Sequence, residues 1–283
     1  MKKFIPFILI FLISYSIVFS QETNFDFGAK TNFGATFTSF NTSEGDDSHL
    51  ELLLSILANA NYEGSNFNFD SEFYIQYGQI VKKDFPPQKT QDNFILTLMP
   101  SFRIMEKPCV RLFWQAKAET QLRKGYLNDQ ETNFADPMFI TNTLFLGEKS
   151  KLIEQTETQQ FNVTYGIGYS FQNIIKKHFQ LTSETTPSNN AEFADGPTAV
   201  LNFNFSKSIS EKVNFNSSFN SLFLAKKDFL KSTSNSRFSS LFLASLEIYF
   251  FSIEYSNRLV YDKELGSKRQ LEQSLVVGLK LNI

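Results

Sequence analysis

Apolar and polar residues alternate along almost the whole chain. In the first segment Phe25, Phe27, Ala29, Phe33, Ala35 and Phe37 share one face, and Asn24, Asp26, Lys30, Asn32 and Thr36 share the other. A period of two belongs to a strand whose faces meet different surroundings. The pattern returns at His49 to Glu63, where Leu50, Leu52, Leu54, Ile56, Ala58, Ala60 and Tyr62 fall together, and at Phe67 to Val81. Further strands are expected around Phe94 to Ile104, Val110 to Leu122, Phe161 to Phe171, Phe179 to Leu181, Ala199 to Phe205, Val213 to Ala225, Phe238 to Phe250, Phe251 to Tyr261 and Leu271 to Ile283. Many of these runs exceed the roughly 5–6 residues usual for soluble sheets. The pattern predicts an all-β chain, a transmembrane antiparallel up-and-down β-barrel of about twelve strands, with apolar faces toward lipid.

Connection lengths give an independent reading. Barrels of this kind have short periplasmic turns and long outer loops. With both termini periplasmic, short turns are expected at Gly64–Asn66, Met105–Cys109, Asn173–Lys177, Ser208–Lys212 and Tyr249–Phe251. Long connections are expected at Asn41–Ser48, Lys82–Gln91, Lys124–Thr158, Pro187–Gly196, Lys227–Asn235 and Asp262–Lys268. The alternation holds if Met138–Leu146 is a hairpin or lid within the outer loop. Aromatic residues cluster at both strand ends: Tyr62, Phe67, Phe102, Tyr169, Phe171, Phe205 and Phe251 by the short turns, and Tyr77, Phe94, Phe223, Phe238 and Tyr261 by the long connections. Rings at both interfaces suit a girdled barrel.

Lys2 and Lys3 precede an uncharged apolar run, Phe4 to Phe19, and Val18-Phe19-Ser20 resembles a cleavage site. Residues 1–20 therefore read as a signal peptide and 21–283 as the barrel domain. The 33 Phe and 10 Tyr suit a lipid-facing exterior. A formal net charge of −2 and no basic stripe exclude nucleic acid as a partner. The single cysteine, Cys109, allows no internal disulfide. The expected location is the bacterial outer membrane. The expected partners are its lipid, its assembly machinery (from the terminal strand Leu271–Ile283) and a small polar solute.

The inward face carries the candidate site. Glu72, Gln76, Arg103, Arg111, Lys117, Glu119, Arg123, Glu254 and Arg258 are expected to line the lumen, with mixed charges concentrated on the third to fifth strands. Such a lining either binds or conducts a hydrophilic solute or neutralises itself as an interior plug. Gly166 and Gly168 fall on the same inward face and suit close packing. No cofactor, metal or catalytic residue is expected. His49, beside Asp46, Asp47 and Ser48, and His178, at an expected periplasmic turn, are the only histidines from which a hydrolase site could be built.

The stretch Gln121 to Pro137, QLRKGYLNDQETNFADP, with AKAET before it, resembles an outer-membrane family of Bacteroidota-type bacteria, domain of unknown function 3078. Thr120, Gln121, Gly125, Tyr126, Asn133, Phe134 and Pro137 match its pattern. The similarity spans about Leu50 to Gly147, while Glu148 to Thr158 does not align. The family has no established reaction, so the resemblance implies architecture and location. Three functions remain open: a narrow channel or uptake protein for a small polar solute, a closed structural or adhesive barrel that binds through its outer loops, and, less favoured, a hydrolase.

Overall fold

The computed structural model describes residues 25–282, apart from 39–40, 43–44, 47–48, 83–87, 108, 124, 128–129, 133, 153–155, 157, 177–191, 234 and 263–269. The barrel strands are β1 (Phe25–Thr38), β2 (His49–Glu63), β3 (Phe67–Lys82), β4 (Gln88–Met105), β5 (Val110–Thr120) and β6 (Met138–Lys151). They continue as β7 (Gln159–Ile175), β8 (Glu192–Ser210), β9 (Val213–Ala225), β10 (Ser236–Ile248), β11 (Phe251–Asp262) and β12 (Gln270–Asn282). Each pairs antiparallel with its chain neighbours, and β12 returns to β1, closing a ring of twelve. Two small hairpins, Asn41–Thr42 with Gly45–Asp46 and Gly125–Leu127 with Gln130–Thr132, stand outside the ring.

The ring closes because the alternation keeps its phase from strand to strand. Outward positions meet outward positions: Leu54 faces Tyr77, Leu144 faces Trp114 and Tyr169, and Phe203 faces Phe219. Exposed apolar side chains such as Trp114, Leu144, Ile167, Leu201, Ile253 and Leu275 form the exterior. Closure leaves no sheet edge facing hydrocarbon, which a bilayer demands of a spanning sheet. The molecule is a transmembrane antiparallel up-and-down barrel. Because Ile167 is 74% exposed on this exterior, Ile167→Arg should make folding into bilayers less favourable by about 2–4 kcal/mol. Urea titration of folding into phosphatidylcholine vesicles measures it.

Two expectations are corrected. Met138–Leu146 is the greater part of a barrel strand, with Phe139–Gly147 paired to β5 and Met138–Lys151 paired to β7. The Lys124–Thr158 loop is therefore a connection, a strand and a turn. The eighth strand, Glu192–Ser210, pairs directly with Gln159–Ile175, and the strand expected at Phe179–Leu181 lies outside the described residues. Asn173 to Ile175 belong to β7, so no short turn begins at Asn173. The described strands of the ring number twelve. The error came from the order of short and long connections: with a strand counted at Phe179–Leu181, that order holds only if Met138–Leu146 is a loop, although the segment opens on the apolar Met138-Phe139-Ile140.

With this order, the connections at one end follow Glu63, Met105, Lys151, Ser210 and Ile248 and are mostly short turns, and those at the other end follow Thr38, Lys82, Thr120, Ile175, Ala225 and Asp262 and are longer on the whole. Tyr169 and Phe171 move from the short-turn half to the other end, where they join Phe193 in one aromatic cluster. Tyr62, Phe67 and Phe102 form the matching group by a short turn, with ring centroids 6.0 and 5.0 Å apart.

Candidate functional site

The interior has three levels, each made by inward positions of strands that stand opposite in the ring. At the long-connection end lies a network of ions. Arg237 on β10 donates from Nη2 to Oε2 of Glu119 on β5 (3.0 Å) and from Nη1 to Oδ2 of Asp262 on β11 (3.3 Å). Lys226 reaches Asp262 at 2.6 Å and Lys117 reaches Glu119 at 3.2 Å. Arg258 bridges Glu119 at 3.8 Å and Glu272 at 3.2 Å, and Asn93 donates to Glu272 at 2.8 Å. The Arg237 guanidinium also lies over the Phe139 ring, 4.3 Å from its centre. β5 and β11 face each other across the ring, so the Glu119–Arg258 contact spans the lumen. Buried charges need this degree of pairing because each forfeits its hydration.

The middle level is a septum. Tyr74 of β3 and Ile95 of β4 pack against Leu241 and Leu243 of β10, with Leu57 beside them. Met99, Phe113, Phe145 and Val200 form a second apolar group, in which the Phe113 and Phe145 rings stack at 4.6 Å. Polar ties lace the rim: Ser55 to Glu254 (2.7 Å), Gln76 to Ser256 (3.0 Å) and Ser274 (2.7 Å), and Asn220 Nδ2 to Glu72 Oε1 (2.9 Å). The last bond joins β9 to β3, which stand opposite in the ring. Side chains of β3 and β4 meet those of β9 and β10 across the lumen at this height.

Below the septum a cavity of about 730 Å³ occupies the short-turn half. Asn162, Thr164, Asn202, Asn204, Asn216 and Asn220 supply one wall from β7, β8 and β9, and Asp26, Asn61, Glu63, Asp70 and Glu72 supply the facing wall. Lys149 of β6 pairs with Glu63 (3.1 Å) and Asp70 (2.9 Å). The amides sit side by side because the register sets Asn162 against Asn204 and Asn202 against Asn220. This vestibule is a donor- and acceptor-rich chamber suited to a hydrophilic molecule.

The expected lining residues divide among these levels. Lys117, Glu119 and Arg258 meet in the ion network, Gln76 and Glu254 brace the septum, and Glu72 joins the septum to the vestibule. Arg103 and Arg111 face each other in register near the short-turn end, where Arg111 donates from Nε to the Ser101 hydroxyl at 3.1 Å. Arg123 does not line the lumen. It is exposed past the end of β5, and its guanidinium reaches the Tyr77 hydroxyl at 2.8 Å on the outer side of β3. The strand alternation was extended three residues too far. Arg237, Asp262, Glu272, Lys149 and Asn220 were missed. Parity with Phe238 and Tyr261 marks Arg237 and Asp262 as inward, whereas Lys149 was hidden in the segment read as loop. His49 lies in β2, its backbone paired to Lys82. His178 lies outside the described residues.

Residues 35–126 match the model of a family described as protein of unknown function DUF3078. The DUF3078 match runs from within β1 to the small hairpin after β5 and includes the left half of the resemblance drawn from Thr120 to Pro137. The structure shows what several of those residues do. Thr120 donates to the Pro137 carbonyl (2.9 Å) and Gln121 to that of Asp136 (2.7 Å), while Asp92 accepts from the backbone N–H of Leu122 (2.6 Å) and Arg123 (2.8 Å). Together they clamp the β5–β6 connection to the barrel rim. No curated protein matches the chain. Among solved structures, it is similar to the COG4313 outer membrane channel of Pseudomonas putida F1, at 9% identity and TM-score 0.40, covering 91% of this chain and 94% of that one. It is also similar to the translocator domain of the autotransporter NalP of Neisseria meningitidis, at 9% identity and TM-score 0.35, covering 99% and 95%. The β domain of the Bordetella autotransporter BrkA gives 9% identity, a TM-score of 0.34 and coverage of 92% and 99%. The closed ring, its apolar exterior and its even strand number place the chain in a bacterial outer membrane.

Proposed function

We propose that the protein is a closed outer-membrane barrel that receives a small polar ligand in the vestibule below its septum, and is not a standing aqueous pore. The observation that carries this reading is the pair of diametric contacts, Glu72 with Asn220 and Glu119 with Arg258, with the Tyr74–Leu241 apolar group between them. A narrow channel would need a continuous polar path, and the septum interrupts it with buried Tyr74, Ile95, Leu241 and Leu243. The barrel would reach the membrane through residues 1–20 as a secretion signal and through the outer-membrane assembly machinery. Planar-bilayer recording tests the reading. The wild type should show no steady conductance. Tyr74→Ala with Leu241→Ala should raise the frequency of brief openings, because removing both side chains thins the septum. Steady wild-type current would favour the channel reading instead.

A further inference from the structure

The ring is not zipped evenly. β1 and β12 pair only through Lys30–Gly34 against Gly278–Asn282, whereas every other neighbouring pair runs over at least nine residues. Above Gly34 and Gly278, β1 continues to Thr38 on β2, and β12 continues up to Gln270 on β11. Among the described residues, 35–38 and 270–277 thus have no partner at this seam. The upper half of β12 is tied inward instead. Gln76 holds the Ser274 hydroxyl at 2.7 Å, Asn93 holds Glu272 at 2.8 Å, and Gln91 donates to the backbone carbonyl of Gln273 at 3.3 Å. That carbonyl is satisfied by a side chain from across the lumen and not by β1.

A second cavity of about 140 Å³ reaches the upper half of β12 at Glu272 and is lined also by Gln91, Asn93, Arg258, Glu119 and Arg237 among others. Its ionic lining balances: Lys89, Arg237 and Arg258 against Asp92, Glu119 and Glu272. Two buried polar atoms of the lining have no hydrogen-bond partner, the Arg258 Nε donor and the Gln91 Oε1 acceptor. A neutral site that offers one donor and one acceptor calls for an uncharged head that both accepts and donates. Outside the seam, Leu271, Leu275 and Val277 are exposed on the lipid-facing side.

We propose that this cavity binds the uncharged, hydroxyl-bearing head of a single-chain amphiphile of the monoacylglycerol class, whose chain leaves the barrel sideways between β1 and β12. The cavity holds such a head but has no room for a long alkyl chain, and the unpaired seam is the adjacent exit. The head's carbonyl accepts from Arg258 Nε and a hydroxyl donates to Gln91 Oε1. This site is separate from the vestibule, which lies on the other side of the septum.

Two measurements on the full barrel carrying Cys109→Ser test it. First, Phe33→Cys with Leu279→Cys, which are in register, should oxidise to a disulfide under mild oxidant, and Phe37→Cys with Leu275→Cys should not. Equal oxidation of both pairs would show a zipped seam and overturn the proposal. Second, monopalmitoylglycerol with a diazirine near its methyl end should label residues within 35–38 and 271–277, in competition with unlabelled monopalmitoylglycerol. Palmitate and hexadecylamine should compete at least about tenfold more weakly, and Gln91→Leu should weaken binding by about tenfold, as expected for one lost hydrogen bond. Labelling spread evenly over the lipid-facing exterior, or a Gln91→Leu variant that runs as a folded barrel and binds as the wild type does, would overturn it.

Discussion

Glu119→Ala should lower the barrel's stability by about 3–5 kcal/mol, the usual consequence of stranding buried charge. Glu119 is 3% exposed and is the one carboxylate that touches Lys117, Arg237 and Arg258 together. Without it the network keeps four cations, Lys117, Lys226, Arg237 and Arg258, against Asp262 and Glu272. Arg237 suffers most, because its side chain is 1% exposed and has nowhere to rehydrate. The paired change Glu119→Leu with Arg237→Met should recover part of the loss, since removing both charges spares the barrel an orphan. Urea unfolding in detergent micelles, read by tryptophan fluorescence of Trp114, measures both. Equal stability of Glu119→Ala and wild type would show the network to be hydrated and the outer half of the lumen open.

Gly168→Ala should prevent assembly of a native barrel, seen as loss of the heat-shifted folded band on gels. A Cβ at Gly168 would stand 2.0 Å from the Leu144 carbonyl oxygen and 2.5 Å from Phe145 Cα. Both obstacles belong to the neighbouring strand, so relief requires breaking the β6–β7 pairing beside Phe145, whose ring stacks on Phe113 of β5. A change of this class falls among the largest single-residue effects, above about 4 kcal/mol. Gly28→Ala is the matched control. Its Cβ would meet only the Asn59 side chain, at 3.1 Å, which can rotate away, so the effect should stay within about 0.5 kcal/mol.

The architecture was legible because lipid and lumen impose opposite demands on successive residues. Leu50 to Tyr62 and Leu271 to Leu281 state that demand without interruption, and the strands form where the pattern runs. What the alternation concealed was the septum. A rule that sends every polar residue inward and every apolar one outward leaves no apolar residue for the interior. The signal was present as interruptions: Phe94-Ile95-Leu96, Leu112-Phe113-Trp114, Leu144-Phe145-Leu146 and Leu241-Phe242-Leu243. In the first three triplets the middle residue turns inward and is buried, and in the fourth the two flanking leucines do. These apolar triplets are the places where the interior is plugged.

The candidate site was legible in part for the same reason. Parity places Lys117, Glu119 and Arg258 on the inward face, but no pattern states that β5 and β11 stand opposite in the ring. That depends on the strand count between them, and hence on whether β6 is a strand. Treating Met138–Leu146 as a lid removed Lys149 from the interior and misassigned the end of the barrel to which Tyr169 and Phe171 belong. Arg123 shows the opposite failure. Its spacing continues the inward row of β5, but the chain has already left the strand and Asp92 has turned its backbone toward the rim.

Charged-maleimide labelling of single inward cysteines, in barrels carrying Cys109→Ser and inserted one way into vesicles, tests the closed lumen most directly. Asn61→Cys and Asn204→Cys, in the vestibule, should react from the short-turn face and stay silent from the other. Ser55→Cys and Ser239→Cys, buried at 2% exposure, should stay silent from both faces. Reaction at all four positions from either face would reveal a continuous column of water and contradict the account.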